Sequence, residues 1–350
     1  MKELLNDRNR KIFSSIVQEY IINAEPVSSR KIAKKYSLDL SSATIRNVMA
    51  DLEEAGFLFQ PHTSAGRIPT DQGFRFYVNT ILNNRELSLV SKEAIKEKYQ
   101  KFSPEFSVLM QETSKILSEF SQGTGVVMAP KIVDTVFRGI EFVFLRKNQI
   151  LAIFVSQSGL MQKKLIEIDD QDISQDDLDK YSRYLNETFS GFTLKEIRYK
   201  ISKEMEKEQN RYNKFLSKAL KMGQSVLVND MEVEVYIEGQ ANFLNYPEFA
   251  EVEKMKAIFK TFNEKTVLLT ILDKAMENTG LQIFIGAENQ LPELENCSFI
   301  LASYSSRNRN VLGALGVVGP TRMNYYYIIP VVDYIAKFLS NYLDEEQLWR

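Results

Sequence analysis

Thr44, Arg46 and Asn47 stand close together in one short segment, Ser41 to Glu54, and are residue types that hydrogen-bond base edges. Arginine can make paired bonds to guanine O6 and N7, asparagine can do the same to adenine N6 and N7, and threonine can meet a thymine methyl or a phosphate. Ser41 or Ser42 is placed to cap a helix that runs to about Ala55, with Gly56 as its stop. Within that helix Ile45, Val48, Met49 and Leu52 form one apolar stripe. Ala43, Asn47 and Ala50 then fall opposite it, with Thr44 and Arg46 on its flanks. Small and hydrogen-bonding residues near the N-terminal half are what entry into a major groove requires, and a solvated helix face is the competing reading of the same pattern.

Two further groups belong to this chemistry. Arg30, Lys31, Lys34 and Lys35 form a basic cluster suited to phosphate contacts, which position a protein on DNA without reading sequence. His62, Ser64 and Arg67 lie on a turn-rich stretch, where Ser64 can bond a phosphate and Arg67 can enter a minor groove. His62 is the only histidine and Cys297 the only cysteine, so the chain offers no thiolate or imidazole cluster for a metal and no base partner for His62. The phosphate-binding G-x-x-x-x-G-K-[ST] loop, the G-x-S-x-G elbow and the H-E-x-x-H zinc motif are all missing. The chain is expected not to be an enzyme and to need no cofactor.

The elements that must position these residues are three short helices and a hairpin. A first helix from about Arg8 to Asn23, with Asp7 as a candidate cap, carries Ile12, Ile16 and Tyr20 beside Phe13, Val17 and Ile21. Pro26 breaks it, and Ser28 caps a second helix, Ser29 to Tyr36, that is apolar on one side and cationic on the other. The Ser41 helix follows after a tight connection, which makes a helix-turn-helix. Phe57 to Gln60 and Arg67 to Thr70 read as two short strands of a wing, and a helical pattern resumes from Asp71 to Leu82.

With 350 residues, 44% of them hydrophobic and 26% charged, the chain has material for two or three domains. Net charge is only −2, and the first 82 residues hold eleven basic against nine acidic side chains, so the case for nucleic acid is local. No apolar run is long enough to span a bilayer, and the single cysteine, in the strand-like run Cys297 to Leu301, reads as a buried structural thiol in a reducing cytoplasm. Residues 84–121 read as a helical connection into a second domain. Strands follow at Thr124 to Met128, Thr135 to Leu145, Gln149 to Val155 and Leu160 to Ile168, as an antiparallel meander. Thr193 to Glu196 is a capping box that opens a helix with the apolar stripe Ile197, Ile201, Met205, Tyr212 and Phe215. Strands return at Glu232 to Ile237, Leu281 to Ile285, Ser298 to Tyr304 and Val311 to Val318, with helices at Tyr246 to Phe262 and Ile329 to Leu343. Strand, helix, strand in this order places residues 171–234 as an insertion in one α+β domain made of 122–170 and 235–350. The inserted helix has one usable apolar face, favoured here as part of a dimer contact.

Several motifs carry a family likeness. Val27-Ser28-Ser29, Ser42-Ala43-Thr44-Ile45-Arg46-Asn47-Val48-Met49 with Leu52-Glu53, His62 through Thr70, and Gly319-Pro320-Thr321-Arg322-Met323 with Tyr325 resemble the HrcA family of heat-inducible transcription repressors. That resemblance implies a multidomain α+β protein: a winged helix in residues 1–83, a GAF-like α/β domain with an antiparallel sheet, and an inserted, mainly helical dimerising domain. It also implies a homodimer on double-stranded operator DNA with an inverted repeat, the CIRCE element, upstream of heat-shock chaperone operons. The GroEL chaperonin would maintain its activity, and no membrane would be involved. The alternative is a small-molecule-sensing regulator that uses the GAF-like domain as its pocket.

Overall fold

The computed structural model describes residues 6–36, 40–63, 65–81, 86–100, 106–130, 136–146, 149–157, 161–167, 173–194, 196–197, 199–201, 203, 214–227, 233–277, 280–305 and 311–345. Two compact units emerge, one of Met1–Met128, Val235–Tyr304 and Gly313–Phe338, the other of Ala129–Glu234, Ser305–Leu312 and Leu339–Arg350.

The first unit opens with α1 (Asp7–Asn23), α2 (Ser29–Lys35) and α3 (Ser42–Glu54), followed by a two-stranded antiparallel pair, β1 (Leu58–Phe59) and β2 (Ile68–Pro69), and then α4 (Asp71–Ile81). Their boundaries follow the local signals. Ser28 and Ser41 accept the backbone N–H groups of Lys31 and Thr44, and Asn6 caps α1 in place of the expected Asp7, which becomes its first residue. Past α3, Gly56 turns the chain at φ +79°, a left-handed conformation that glycine adopts without strain. Ile12, Phe13, Ile16 and Val17 from α1, Ile32 from α2 and the Ile45, Val48, Met49, Leu52 stripe of α3 close into one buried core with Phe57, Phe74 and Tyr77.

The same unit continues through α5 (Leu89–Tyr99) and α6 (Phe106–Ser121) into a five-stranded sheet ordered β7 (Val235–Glu238), β3 (Thr124–Met128), β10 (Val311–Pro320), β9 (Cys297–Ser305), β8 (Leu281–Ile285). Thus residues 84–121 are more than a connection. Helix α6 buries Leu109, Met110, Ile116 and Leu117 together with Thr113, Ser114 and Ser118, and it lies so close to β3 that a Cβ on Gly125 would stand 1.9 Å from the Ser114 carbonyl oxygen. Helices α9 (Val252–Asn263), α10 (Lys265–Glu277) and α11 (Tyr325–Glu345) complete the unit, and α11 runs on into the second. Cys297 is fully buried in β9, and burial pushes its thiol up to about 12, so it is an inert structural group.

The second unit holds a separate antiparallel sheet, β4 (Phe137–Arg146), β5 (Gln149–Ser156) and β6 (Met161–Glu167). Here the expected organisation needs correction in two respects. Thr124 to Met128 pairs with β7 and β10 and takes no part in a meander with β4 to β6. The boundary also falls near residue 129 instead of 171, and the inserted unit is as much sheet as helix. The reason is a shared core: Phe137, Ile140, Phe142, Ile150, Ala152 and Phe154 bury one sheet face with Leu178, Tyr181, Leu185 and Phe189 of α7 (Gln175–Phe189). Along the free edge of β4, side chains of α7 replace a neighbouring strand. Asn186 bonds both the N–H (2.7 Å) and carbonyl (3.1 Å) of Ile140, Ser182 accepts from Phe142 N–H (3.1 Å), and Gln175 accepts from Phe144 N–H (2.8 Å). The capping box Thr193/Glu196 forms as expected. Helix α8 (Lys214–Leu227) packs nearby, where a Cβ on Gly223 would lie 3.2 Å from Leu185 and 3.6 Å from Ile201. Among the described residues no helix is long and apolar enough to cross a membrane, and no cluster of three metal-ligating side chains occurs.

Candidate nucleic-acid interface

Helix α3 turns its apolar stripe inward and leaves Ser41, Ser42, Ala43, Arg46, Asn47 and Ala50 exposed, with Thr44 half-buried. Ser41 Oγ accepts the Thr44 N–H at 3.1 Å and lies 2.9 Å from Thr44 Oγ1, so the first turn is held shut by its own cap. Arg46 and Asn47 therefore stand side by side on a rigid, outward helix face.

The basic helix beside it is divided in its roles. Arg30 and Lys34 are exposed and enter no ion pair among the described residues. Lys31 and Lys35 instead grip Glu19 of α1 at 2.9 and 2.6 Å, and Tyr36 donates to the same carboxylate at 3.2 Å. Glu19 is 1% exposed, whereas the two lysine side chains keep 40% and 50% of their surface, so a net positive charge still faces outward. Burial alone would raise the Glu19 pKa, but the hydrogen bonds from Lys35, Lys31 and Tyr36 outweigh it and hold the carboxyl at about 2. Burial and the adjacent carboxylate push the Tyr36 phenol up to about 12. Sequence reading passed over Glu19, although a glutamate three residues beyond Ile16 on an apolar stripe must find cations.

A depressed carboxyl pKa stabilises the fold at pH values above the ordinary carboxylate range, and that contribution is lost as pH falls from about 4.5 toward 2. The shift corresponds to roughly 3 kcal/mol at neutral pH. Glu19→Gln is expected to lower stability by about that amount at pH 7 and to lose less than the parent between pH 6 and pH 3. Urea midpoints at the two pH values check this, and identical pH dependence in both chains would remove the role given to Glu19.

The hairpin differs more from expectation. His62 is exposed at its tip, and Ser64 lies outside the described residues. Arg67, expected to reach outward, has a side chain only 16% exposed and binds Glu53 of α3 through Nε at 2.7 Å. Its backbone exchanges two 2.9 Å hydrogen bonds with Val27, so the second strand of the hairpin ties the α1–α2 loop to the C-terminal half of α3. Thr70 caps α4, accepting the Gly73 N–H at 3.0 Å and donating to the Gly56 carbonyl at 2.6 Å. The stretch from Gly66 to Thr70 is thus a scaffold for α3.

Of the residues expected at a dimer contact, Ile197 and Ile201 are completely buried within the single chain, so their apolar surface is already in use. Met205 and Tyr212 lie outside the described residues, and Phe215 falls on α8.

The helices are also tied to the large sheet of their own unit. Asp71 of α4 accepts the Ala287 N–H at 3.0 Å, Arg75 pairs with Glu288 and donates to the Ile283 carbonyl at 2.5 Å, and Phe74 meets Tyr325 with ring centroids 5.9 Å apart. Arg322 donates to the Ile21 carbonyl in the last turn of α1 at 2.8 Å and pairs with Glu248. The contacts that reach the head link residues more than 200 positions apart, which is why local patterns did not reveal them.

Comparison with known proteins defines the class first. The Heat-inducible transcription repressor HrcA of Geobacter sulfurreducens is 44% identical over 342 residues, covering 98% of this chain and 99% of its own, and that of Syntrophobacter fumaroxidans is 45% identical over 343 residues, covering 97% and 98%. The chain is a transcription repressor. Residues 107–329 match the family model described as HrcA protein C terminal domain, and the chain belongs to the HrcA family of heat-inducible transcription repressors. A crystal structure solved at 2.2 Å for a hypothetical protein shares the fold, with a TM-score of 0.68 at 24% identity over 97% of this chain and 98% of that one.

Proposed function

We propose that residues 6–81 act as a winged helix-turn-helix that sets α3 in the major groove, that a homodimer reads the two halves of the inverted-repeat CIRCE operator, and that GroEL availability sets the amount of competent repressor. The observation that carries this reading is the pairing of exposed Arg46 and Asn47 on a capped helix, flanked by the free cations Arg30 and Lys34. Arg46 and Asn47 read bases; Arg30 and Lys34 hold phosphates. The operator and the chaperonin come from the family resemblance, and the main domain is read as GAF-like on the same ground. The head is close to electroneutral overall, so specific affinity depends on two copies bound together.

Arg46→Ala and Asn47→Ala are each expected to weaken binding to an inverted-repeat probe by about 1–3 kcal/mol and to relax base preference. Lys34→Ala is expected to weaken all sequences alike and to reduce the salt slope by about one. Titration by fluorescence anisotropy at several salt concentrations separates the two patterns, and unchanged affinity in both α3 variants removes the assignment of that helix. Footprinting on chaperone promoters with and without GroEL tests the remainder.

A second reading, small-molecule sensing, draws on an apolar cleft of about 750 Å³ beside α9, lined by Phe249, Met255 and Phe259 among others. A stoichiometric ligand in native mass spectrometry that shifts operator affinity would favour it over chaperonin control.

A further inference from the structure

Helix α3 carries Arg46, Ala50 and Glu53 at i, i+4 and i+7, so the three line one flank of the helix, with Glu53 roughly 10 Å along the axis from Arg46. Arg46 and Ala50 are exposed, and Glu53 is half-buried because the hairpin delivers Arg67 onto it. The row that begins with Arg46 therefore ends in an ion pair. That pair is held by a single bond. Arg67 donates Nε to Glu53 Oε2 at 2.7 Å, and its two terminal nitrogens meet no acceptor among the described residues, although a guanidinium can grip a carboxylate with two parallel bonds. The Arg67 backbone, by contrast, is fixed by the two 2.9 Å bonds to Val27, so the guanidinium can change partner while the hairpin stays in place. The Glu53 side chain keeps 32% of its surface, unlike Glu19, which is enclosed by its two lysines and keeps 1%.

With α3 in a major groove about 12 Å wide and Arg46 at the base edges, a point roughly 10 Å further along the helix comes to the phosphates of the groove wall. A phosphate there repels Glu53 and attracts Arg67, and it offers the terminal nitrogens the acceptors that the carboxylate leaves them without. From this arrangement we infer that Glu53 is an internal stand-in for a backbone phosphate: it holds Arg67 in the free repressor and yields it when α3 enters the groove. Every binding event then breaks an ion pair, and affinity is held down by that amount. The restraint acts on all sequences alike, because a phosphate contact carries no sequence information. It also hides Arg67 from salt titrations. The phosphate releases counterions, but the freed carboxylate takes up cations in their place.

The inference rests on the major-groove reading of α3 given above and adds a contact that limits its strength. Glu53→Gln in the full-length chain tests it, since the amide oxygen can still accept from Arg67 while the charge is gone. On a duplex carrying one half-site, at about 0.15 M salt, this variant is expected to bind about three- to tenfold more tightly than the parent and to steepen the salt slope by about one per head. An unrelated duplex is expected to gain by the same factor. In an Arg67→Ala background the gain is expected to be at least about threefold smaller, because no cation remains to be released. Hydrogen exchange across Ile45 to Leu52 reports whether the head stays folded. Unchanged or weaker binding by Glu53→Gln, equal gains in the two backgrounds, or lost protection of α3 would make the pair a fixed structural clasp and overturn the inference. Losses in Arg46→Ala and Asn47→Ala would then leave the reading of α3 standing. If those two variants bind as the parent does, the reading fails and the inference with it.

Discussion

Gly66→Ala is expected to dismantle the N-terminal helical head and, on the function proposed above, to abolish operator binding while leaving the second unit folded. A Cβ at this position would stand 2.4 Å from both the carbonyl carbon and oxygen of Val27 and 2.7 Å from the Pro26 carbonyl carbon, all of them backbone atoms. No rotamer change relieves such contacts; the chain segments themselves must part. What separates is the two-way hydrogen bonding between Val27 and Arg67, and with it the placement of the Arg67 guanidinium on Glu53. Val27 is 1% exposed, so its displacement also opens the core beneath α1 and α2. Overpacking against flexible side chains costs about 1–3 kcal/mol, and a clash confined to backbone belongs at or above the top of that range. Hydrogen exchange followed by mass spectrometry is the suitable measurement, since two units make a single unfolding free energy ill-defined. Protection is expected to collapse across Ile12 to Val17 and Ile45 to Leu52 and to persist in β4 and β5. Parent-like protection of α1, or parent-like DNA affinity, would show that the loop can yield and that Gly66 does not organise the head.

How far the fold was legible depends on whether the determining interaction was local. The head elements emerged within one or two residues of their observed ends because Ser28, Ser41, Pro26 and Gly56 act through their nearest neighbours. Strand pairing is not local: Thr124 to Met128 has the composition of a strand and was grouped with the strands that follow it, yet its partners arrive more than 100 residues later. Helix α6 escaped notice as core because its buried face carries Thr113, Ser114 and Ser118, which look polar in sequence and are small for a reason visible only in space, the close passage of Gly125. Helix α7 was hidden in an acidic stretch, although Ser174 and Asp177 form a capping box at its start.

The interface divides the same way. Helical periodicity placed Asn47 opposite the apolar stripe and Thr44 and Arg46 on its flanks; Arg46 and Asn47 are exposed and Thr44 is half-buried. Periodicity has no information about pairing, so Lys31, Lys35 and Arg67 read as free cations when each in fact holds a carboxylate. Single-sequence patterns predict which face is polar, and three-dimensional proximity decides which charges on that face remain available to DNA.

Arg322→Ala is expected to loosen the end of α1 from the large sheet of its unit, with the α4 anchors left in place, and to cost about 3 kcal/mol of stability. The side chain is 10% exposed and serves three neighbours at once. It donates to the Ile21 carbonyl at 2.8 Å, pairs with both oxygens of Glu248, and lies 5.2 Å from the Tyr246 ring centroid. At Ile21 it supplies a cation to the C-terminal turn of α1, which contains no basic residue of its own. Truncation leaves that carbonyl without its donor and Glu248 without its counter-charge, and breaking a buried pair from one side typically costs 3–5 kcal/mol; the Glu248 side chain is 26% exposed, which places the expected loss at the low end. Arg322→Lys should recover only part of it, since one ammonium cannot reproduce the paired bonds to Glu248 while also reaching Ile21. The functional consequence follows from where α1 sits, against α3 in the buried core. Loss of the anchor frees the orientation of α3, so on the function proposed above affinity for a full inverted repeat should fall more than affinity for a half-site. Hydrogen exchange across α1, with a Glu248→Gln partner in a double-mutant cycle, measures the coupling, and anisotropy titrations on the two probes measure its consequence. Additive single effects would show that the two side chains do not act as one clasp, and equal losses on both probes would show that the anchor stabilises the head without orienting it.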